Sequence, residues 1–312
     1  MLTFFSTPKR FSGPIEVIQR NAIRSWHQLG SGCEVILFGD EDGTAEVAAE
    51  FGIRHVIEVS RNEYGTPLIS DMFDKAQRMS NFPILCYINA DIILLSDFGR
   101  AVQTISQEMS RFLIVGQRWD LDLRELIDFS KINWEQDIRI MVSKRGKLHD
   151  IQGIDYFIFT NSLWGKIPPL SVGRAAWDNW MIYRARTLRV PVIDATQVTT
   201  VIHQNHDYSH HVKGRKGVYR GVEARRNVEL IGGIYHAFNI RDATHLLTSK
   251  GLKPATGIKH LRWRVERIPE LSPQLMPIAQ LIKAVQIVRT SILKLGVKLK
   301  DLVIILKERI FI

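Results

Sequence analysis

Pro83-Ile84-Leu85-Cys86-Tyr87-Ile88-Asn89-Ala90-Asp91-Ile92-Ile93-Leu94-Leu95 is an apolar run broken by an amide and a carboxylate two positions apart. Such a run reads as a buried strand, and side chains two apart in a strand project to the same side. Asn89 and Asp91 are therefore expected side by side at a strand end, aimed at one spot. A buried carboxylate needs a partner, a metal or water, because desolvating it alone is costly. The same residues also fit a strand that ends at Asn89 with Asp91 capping the next turn. The surrounding chain has to decide between a site and a cap.

Residues 2–6 and 34–38 read as strands, 15–29 and 44–51 as helices, 55–59 as a third strand and 67–79 as a third helix with Pro67 in its first turn. The run at 83–95 follows as the fourth strand. This alternation predicts an α/β fold with a mainly parallel, doubly wound sheet that takes ligands at the carboxyl ends of its strands. Ser6-Thr7, Gly39-Asp40 and Asn89-Ala90-Asp91 all fall at such ends. Further along, 112–116, 155–159, 190–194 and 198–202 read as strands and 175–188 as a helix.

The 312 residues are 45% hydrophobic, ample for a packed core. Cys33 and Cys86 lie in apolar runs, which favours buried reduced thiols and a reducing, cytoplasmic setting. The first ten residues lack a basic-then-apolar leader pattern, and no apolar run reaches the roughly 18 to 20 residues that span a bilayer. The net charge of +10 is uneven: residues 250–312 carry 13 Lys/Arg against 4 Asp/Glu, leaving +1 for residues 1–249. With the turn signal at Gly251-Leu252-Lys253-Pro254, this predicts a catalytic domain at 1–247, a linker at 248–274 and a basic amphipathic helical tail at 275–312. Apolar residues recur at helical spacing from Ile278 to Leu306, either as a packing face or as a helix lying on an anionic membrane surface. With only Trp263 interleaved among its basic residues, the tail gives no reason to expect a nucleic-acid partner.

Three constellations could carry chemistry. Val201-Ile202-His203-Gln204-Asn205-His206-Asp207-Tyr208-Ser209-His210-His211 follows an apolar strand with side chains able to hold a divalent ion. His203 ends the strand and suits the site, whereas His210 and His211 fit a solvated loop. In Trp177-Asp178-Asn179-Trp180 a carboxylate stands among aromatics, a setting that raises its pKa toward that of a general base, although it could equally cap its helix. Asp155, after Gly153-Ile154, precedes an aromatic strand where it could bind sugar hydroxyls or merely serve a turn.

Together these features resemble the GT-A class of nucleotide-sugar-dependent glycosyltransferases over about residues 1–247. The resemblance is carried by Glu34-Val35-Ile36-Leu37-Phe38-Gly39-Asp40, Tyr87-Ile88-Asn89-Ala90-Asp91-Ile92-Ile93-Leu94, Val115-Gly116-Gln117-Arg118-Trp119-Asp120, Trp177-Asp178-Asn179-Trp180 and Ile202-His203-Gln204-Asn205-His206-Asp207-Tyr208. It implies a GT-A-like fold and a nucleotide-sugar donor, with a carbohydrate or lipid-linked acceptor. It also implies Mn2+ or Mg2+ held by Asp91 with His203 or His206. Ser6 and Thr7 would touch the nucleotide, Asp40 would accept from its base, and Asp178 would take the acceptor proton in an inverting transfer. Asn89 stands where the class pattern has an aspartate; it could ligate through its carbonyl oxygen or bond a ribose hydroxyl, but it adds no charge. A nucleotidyltransferase is disfavoured because Ser6-Thr7-Pro8-Lys9-Arg10-Phe11 lacks a glycine-rich phosphate loop. A catalytically degenerate binding module is the other competing reading, with Asn89 as its mark.

Overall fold

The computed structural model describes residues 2–30, 32–206, 214–278 and 280–282, the side chains of 214–216 excepted. Its first half alternates as the hydrophobic pattern predicts: β1 (Leu2–Ser6), α1 (Gly13–His27), β2 (Cys33–Phe38), α2 (Thr44–Phe51), β3 (Arg54–Val56), α3 (Ile69–Met79) and β4 (Ile84–Ile88). The chain then turns, Ile92 N donating to Asn89 O at 3.2 Å, and β5 (Ile92–Leu94) joins a second sheet. Next come α4 (Ser96–Glu108), β6 (Leu113–Val115), β7 (Trp119–Leu121), α5 (Trp134–Arg145), β8 (Lys147–Leu148) and β9 (Tyr156–Thr160). They are followed by α6 (Trp177–Thr187), β10 (Val192–Asp194), β11 (Val201–Gln204), α7 (Gly214–Arg220), α8 (Val222–Leu230), β12 (His245–Thr248), β13 (Gly251–Pro254) and α9 (Ile258–Glu266).

Among the described residues the main sheet has the order β13-β12-β10-β6-β9-β4-β1-β2-β3. It is mostly parallel; β9 runs antiparallel between β4 and β6, and β13 is an antiparallel edge. Parallel strands buried on both faces read as continuous apolar runs, which is why β1 and β4 carry no alternation in burial. On one side of the sheet Phe5 sits edge-on to Phe73 and Tyr87, with centroids 4.9 and 5.6 Å apart. Trp26 of α1 is fully buried and donates from Nε1 to Ile92 O at 2.8 Å, which docks α1 on β5. The smaller sheet, β5-β11-β7-β8, brings three segments far apart in sequence beside the Asn89–Asp91 turn.

Gln204 ties these parts together. Fully buried, it donates from Nε2 to Ile18 O (2.8 Å) and Asp91 O (3.2 Å) and accepts from Asn21 Nδ2 (3.0 Å). Gln204→Leu keeps the volume but leaves those buried partners short of hydrogen bonds. A loss of about 2 to 3 kcal/mol in denaturant unfolding is expected, and a change under about 0.5 kcal/mol would show the clamp to be dispensable.

Two sequence expectations meet a different structure. Pro67 is not in the first turn of α3, which begins at Ile69; it bridges Arg61, and its carbonyl accepts from Val172 N at 3.1 Å. Asn89 and Asp91 do not extend one strand, because the chain turns between them. Within 248–274, Gly251, at φ +96°, stands at the tight turn of a hairpin whose second strand, β13, is the sheet edge, and α9 follows. The chain divides into units Met1–Ala255 and Thr256–Ile312. Most of the 275–312 tail lies outside the described residues, as do His210 and His211. No helix among the described residues is long and apolar enough to cross a membrane.

Candidate active site

A cavity of about 980 Å³ opens at the carboxyl ends of β1 and β4, and its walls include Thr7, Lys9, Asn89, Asp91, Asp155, Asp178, His203 and His206. Topology explains the convergence. β1 and β4 are parallel, so Thr7 and Asn89 follow strands that end on the same edge. Antiparallel β9 pairs Tyr156 with Ile88, so the residue before it, Asp155, reaches that edge from its amino end. In the second sheet β11 pairs antiparallel with β5, His203 opposite Ile92, which sets His203 beside Asp91.

Asp91, His203 and His206 form the tightest cluster. His206 Nε2 lies 3.0 Å and His203 Nε2 3.7 Å from Asp91 Oδ2, and one potential ligand atom from each residue lies within 4.8 Å of the others. Burial alone would raise the Asp91 carboxyl, but His203, the bond from His206 and nearby Lys9 together hold it well below the usual carboxylate range. Burial pushes the His203 imidazole down, yet Asp91 and Asp120 outweigh it and raise its pKa. Asp91 Oδ1 and His203 Nδ1 are buried with no hydrogen-bond partner among the described residues. A buried carboxylate with one orphan oxygen, its other oxygen facing two imidazoles, fits a divalent cation with coordination positions left open. The donor set of one carboxylate and two histidines suits a catalytic rather than a closed structural ion.

Beside this cluster lies a charge network in which the sequence reading gave Arg118, Asp120 and His149 no role. Arg118 donates from Nη1 to both Asp155 oxygens at 2.6 Å and from Nε to Asp120 Oδ1 at 3.0 Å. Asp155, only 5% exposed, also accepts from Asn89 Nδ2 at 2.8 Å, while Asn89 Oδ1 accepts from Tyr87 OH at 3.2 Å. Asn89 thus anchors the wall through Asp155, and both Asp155 oxygens are already engaged. Burial raises Asp120, but His203, His149 and Arg118 bring it well below the ordinary carboxylate range. Arg118 and Asp120 flank Trp119 at strand spacing, the one local signal that could have paired them.

Asp178 also lines the cavity, in the first turn of α6. The N-cap is Ala176, held at φ +80°, and Trp177 packs against Tyr87 and Phe157 with centroids 5.0 and 5.5 Å apart, so Asp178 is not the capping residue. Burial, reinforced by the negative charge of Asp155, lifts its carboxyl to about 7 against the opposing pull of backbone N–H groups and Arg118. The remaining expected residues divide. Thr7 lines the cavity, whereas Ser6 is fully buried one residue earlier and donates to Ile88 O at 2.5 Å. Asp40 is exposed and paired with Arg61, which itself lines the cavity. Lys9 is positioned by buried Gln19, which accepts from its N–H at 2.6 Å and donates to its carbonyl at 2.8 Å.

Fold and site together define an α/β protein with a polar cavity at the carboxyl edge of a mostly parallel sheet, built around a carboxylate–imidazole cluster. No protein-family model and no curated protein matches the chain. Among solved structures it is similar to Staphylococcus aureus TarS 1-349, at 10% identity and TM-score 0.41, covering 65% of this chain and 57% of that one. It is also similar to glucosyl-3-phosphoglycerate synthase from Mycobacterium tuberculosis in complex with Mn2+, UDP-glucose and phosphoglyceric acid (12%, TM-score 0.44, 76% of this chain and 79% of that one). A third is the mannosyltransferase PcManGT from Pyrobaculum calidifontis in complex with GDP-mannose and Mn2+ (14%, TM-score 0.41, 65% and 56%). The chain thus spans a little over half of the TarS and PcManGT structures. At this overlap the functional reading rests on the chain's own residues.

Proposed function

We infer that the chain is a GT-A-like glycosyltransferase that moves a sugar, a hexose in our reading, from a nucleotide-sugar donor to a hydroxyl of a carbohydrate or lipid-linked acceptor, with inversion. The observation that carries this reading is one cavity holding two unlike carboxylates: Asp91, kept ionised among imidazoles, and Asp178, raised to about 7. Carboxylates pushed apart in pKa mark divided roles. Asp91, His203 and His206 would hold Mn2+ or Mg2+, which when bound supplies Lewis-acid stabilisation of a departing nucleoside diphosphate. Thr7 and Lys9 face that same space and suit the nucleotide and its phosphates. Asp178, ionised above neutrality, takes the proton from the acceptor hydroxyl at its carboxylate oxygen as that oxygen attacks the sugar.

A thermal-shift panel of nucleoside diphosphates with and without Mn2+ tests the reading. At a ligand concentration 100 times Kd the folded state gains about 2.7 kcal/mol. A shift that requires both Mn2+ and nucleotide in the wild type, and that Asp91→Ala abolishes, is expected; no shift with any nucleotide would reject it. Binding without hydrolysis or transfer of any nucleotide sugar would instead indicate a binding module.

The excess of basic residues beyond Lys250 further supports peripheral association of residues 275–312 with an anionic membrane. Liposomes rich in anionic lipid should float the full chain at low salt but not a chain truncated after Leu271. Equal flotation would assign the tail to packing.

A further inference from the structure

A second carboxylate–imidazole pair faces the cavity without a part in the scheme above. His149, after β8, sets Nδ1 2.7 Å from Asp120 Oδ2. An ionised carboxylate can only accept, so Nδ1–H donates, and in the tautomer with Nδ1 protonated the lone pair is on Nε2. The residue is held on three sides. Its N–H donates to Arg118 O at 2.9 Å, its carbonyl accepts from Gln117 Nε2 at 2.6 Å, and its ring lies over Gly153. A Cβ on Gly153 would stand 2.5 Å from His149 Cδ2 and 2.8 Å from Nε2, so only glycine leaves room for the ring there. Nε2 has no hydrogen-bond partner among the described residues, and the side chain, 34% exposed, lines the cavity.

Its place in the cavity says what it meets. Through Asp120, whose Oδ1 is 3.5 Å from His203 Nδ1, His149 adjoins the Asp91–His203–His206 cluster. Three residues on, Gln152 O accepts from Asn179 Nδ2 at 3.4 Å, and Asn179 directly follows Asp178. A diphosphate at the cluster and an acceptor hydroxyl at Asp178 would leave the transferred sugar in the cavity between them, a cavity that the His149 side chain also lines. We propose that His149 Nε2 accepts a hydrogen bond from a hydroxyl of the donor sugar, making His149 a specificity-determining residue; this rests on the transferase reading.

The test is calorimetry on the full chain with Mn2+, titrating UDP and GDP alongside UDP and GDP conjugates of glucose, galactose and mannose. One lost neutral hydrogen bond corresponds to about a three- to tenfold change in Kd. His149→Ala is expected to weaken the best-bound nucleotide sugar by that factor while leaving the Kd of its nucleoside diphosphate within about twofold. Gly153→Ala keeps the imidazole but intrudes on its place, and should give the same selective loss; His149→Gln, which retains an acceptor, should recover part of it. Equal weakening of diphosphate and sugar conjugate, or none of either, overturns the assignment of His149 and leaves the transferase reading standing. If no nucleoside diphosphate binds the wild type, the transferase reading falls and this assignment with it.

Discussion

Asp178→Asn should lower kcat/KM for glycosyl transfer by about 10²- to 10⁴-fold while leaving nucleotide affinity unchanged. The substitution keeps shape and polarity and removes only the capacity to take a proton. In the proposed scheme nucleotide binding draws on Asp91, His203 and His206 rather than on Asp178, so a pure loss of turnover separates a base from a binding residue. A variant with turnover within threefold of wild type would remove Asp178 from the chemistry. In the wild type, kcat/KM should rise with pH to a plateau above about 7, because the ionised form is the base.

The same residue makes a stability prediction of defined sign. Its folded-state pKa of about 7 lies above the ordinary carboxylate value, so the folded state binds the proton more tightly than the unfolded chain does. The stabilisation this gives is complete below about pH 4 and is lost as pH rises through about 7. Above that, an ionised Asp178 faces Asp155 in a poorly hydrated wall, with only Arg118 and backbone N–H groups to offset it. Asp178→Asn should therefore melt close to wild type at pH 4 and several degrees higher at pH 8. A gap that does not grow between pH 4 and 8 would mean that Asp178 is already ionised at the lower pH.

Much of the fold was legible because it is locally encoded. Residues 44–51 form a helix with the bounds that their pattern and flanking glycines imply, and β1, β2 and β4 lie where apolar runs place them, while the third strand, read at 55–59, is the shorter Arg54–Val56. What escaped was long-range. Ile92–Leu94 looked like a continuation of the fourth strand because nothing nearby reveals its true partner, β11, more than a hundred residues on. The cluster of Asp91 with His203 and His206 is named by its residue types, yet its geometry depends on that non-local register. Ser6 shows a subtler limit: at a strand end one step in sequence reverses the face, so Thr7 reaches the cavity and Ser6 is sealed beneath it. Asn89 illustrates another. Its type suggested a weakened ligand, but its partners, Asp155 and Tyr87, make it part of the wall.

Arg118→Met should cost about 3 to 5 kcal/mol of stability, the loss expected when one partner of a buried ion pair is removed. The side chain is mostly buried, and its guanidinium is the only cation bonded to Asp155 among the described residues. Methionine fills the volume, so the loss reports charge rather than a cavity. Asp155 would be left in the interior with one amide donor, from Asn89, and only backbone N–H groups would offset its repulsion of Asp178. A double-mutant cycle separates this from simple misfolding. Arg118→Met with Asp155→Asn removes both charges and should recover 1 kcal/mol or more relative to Arg118→Met alone. If the single substitution costs under about 1 kcal/mol, or if the double variant is the less stable of the two, the network is not what holds this wall in place. His203 supplies a second readout: its neighbour Asp120 also loses a partner in Arg118→Met, so where stability falls Mn2+ affinity should fall with it.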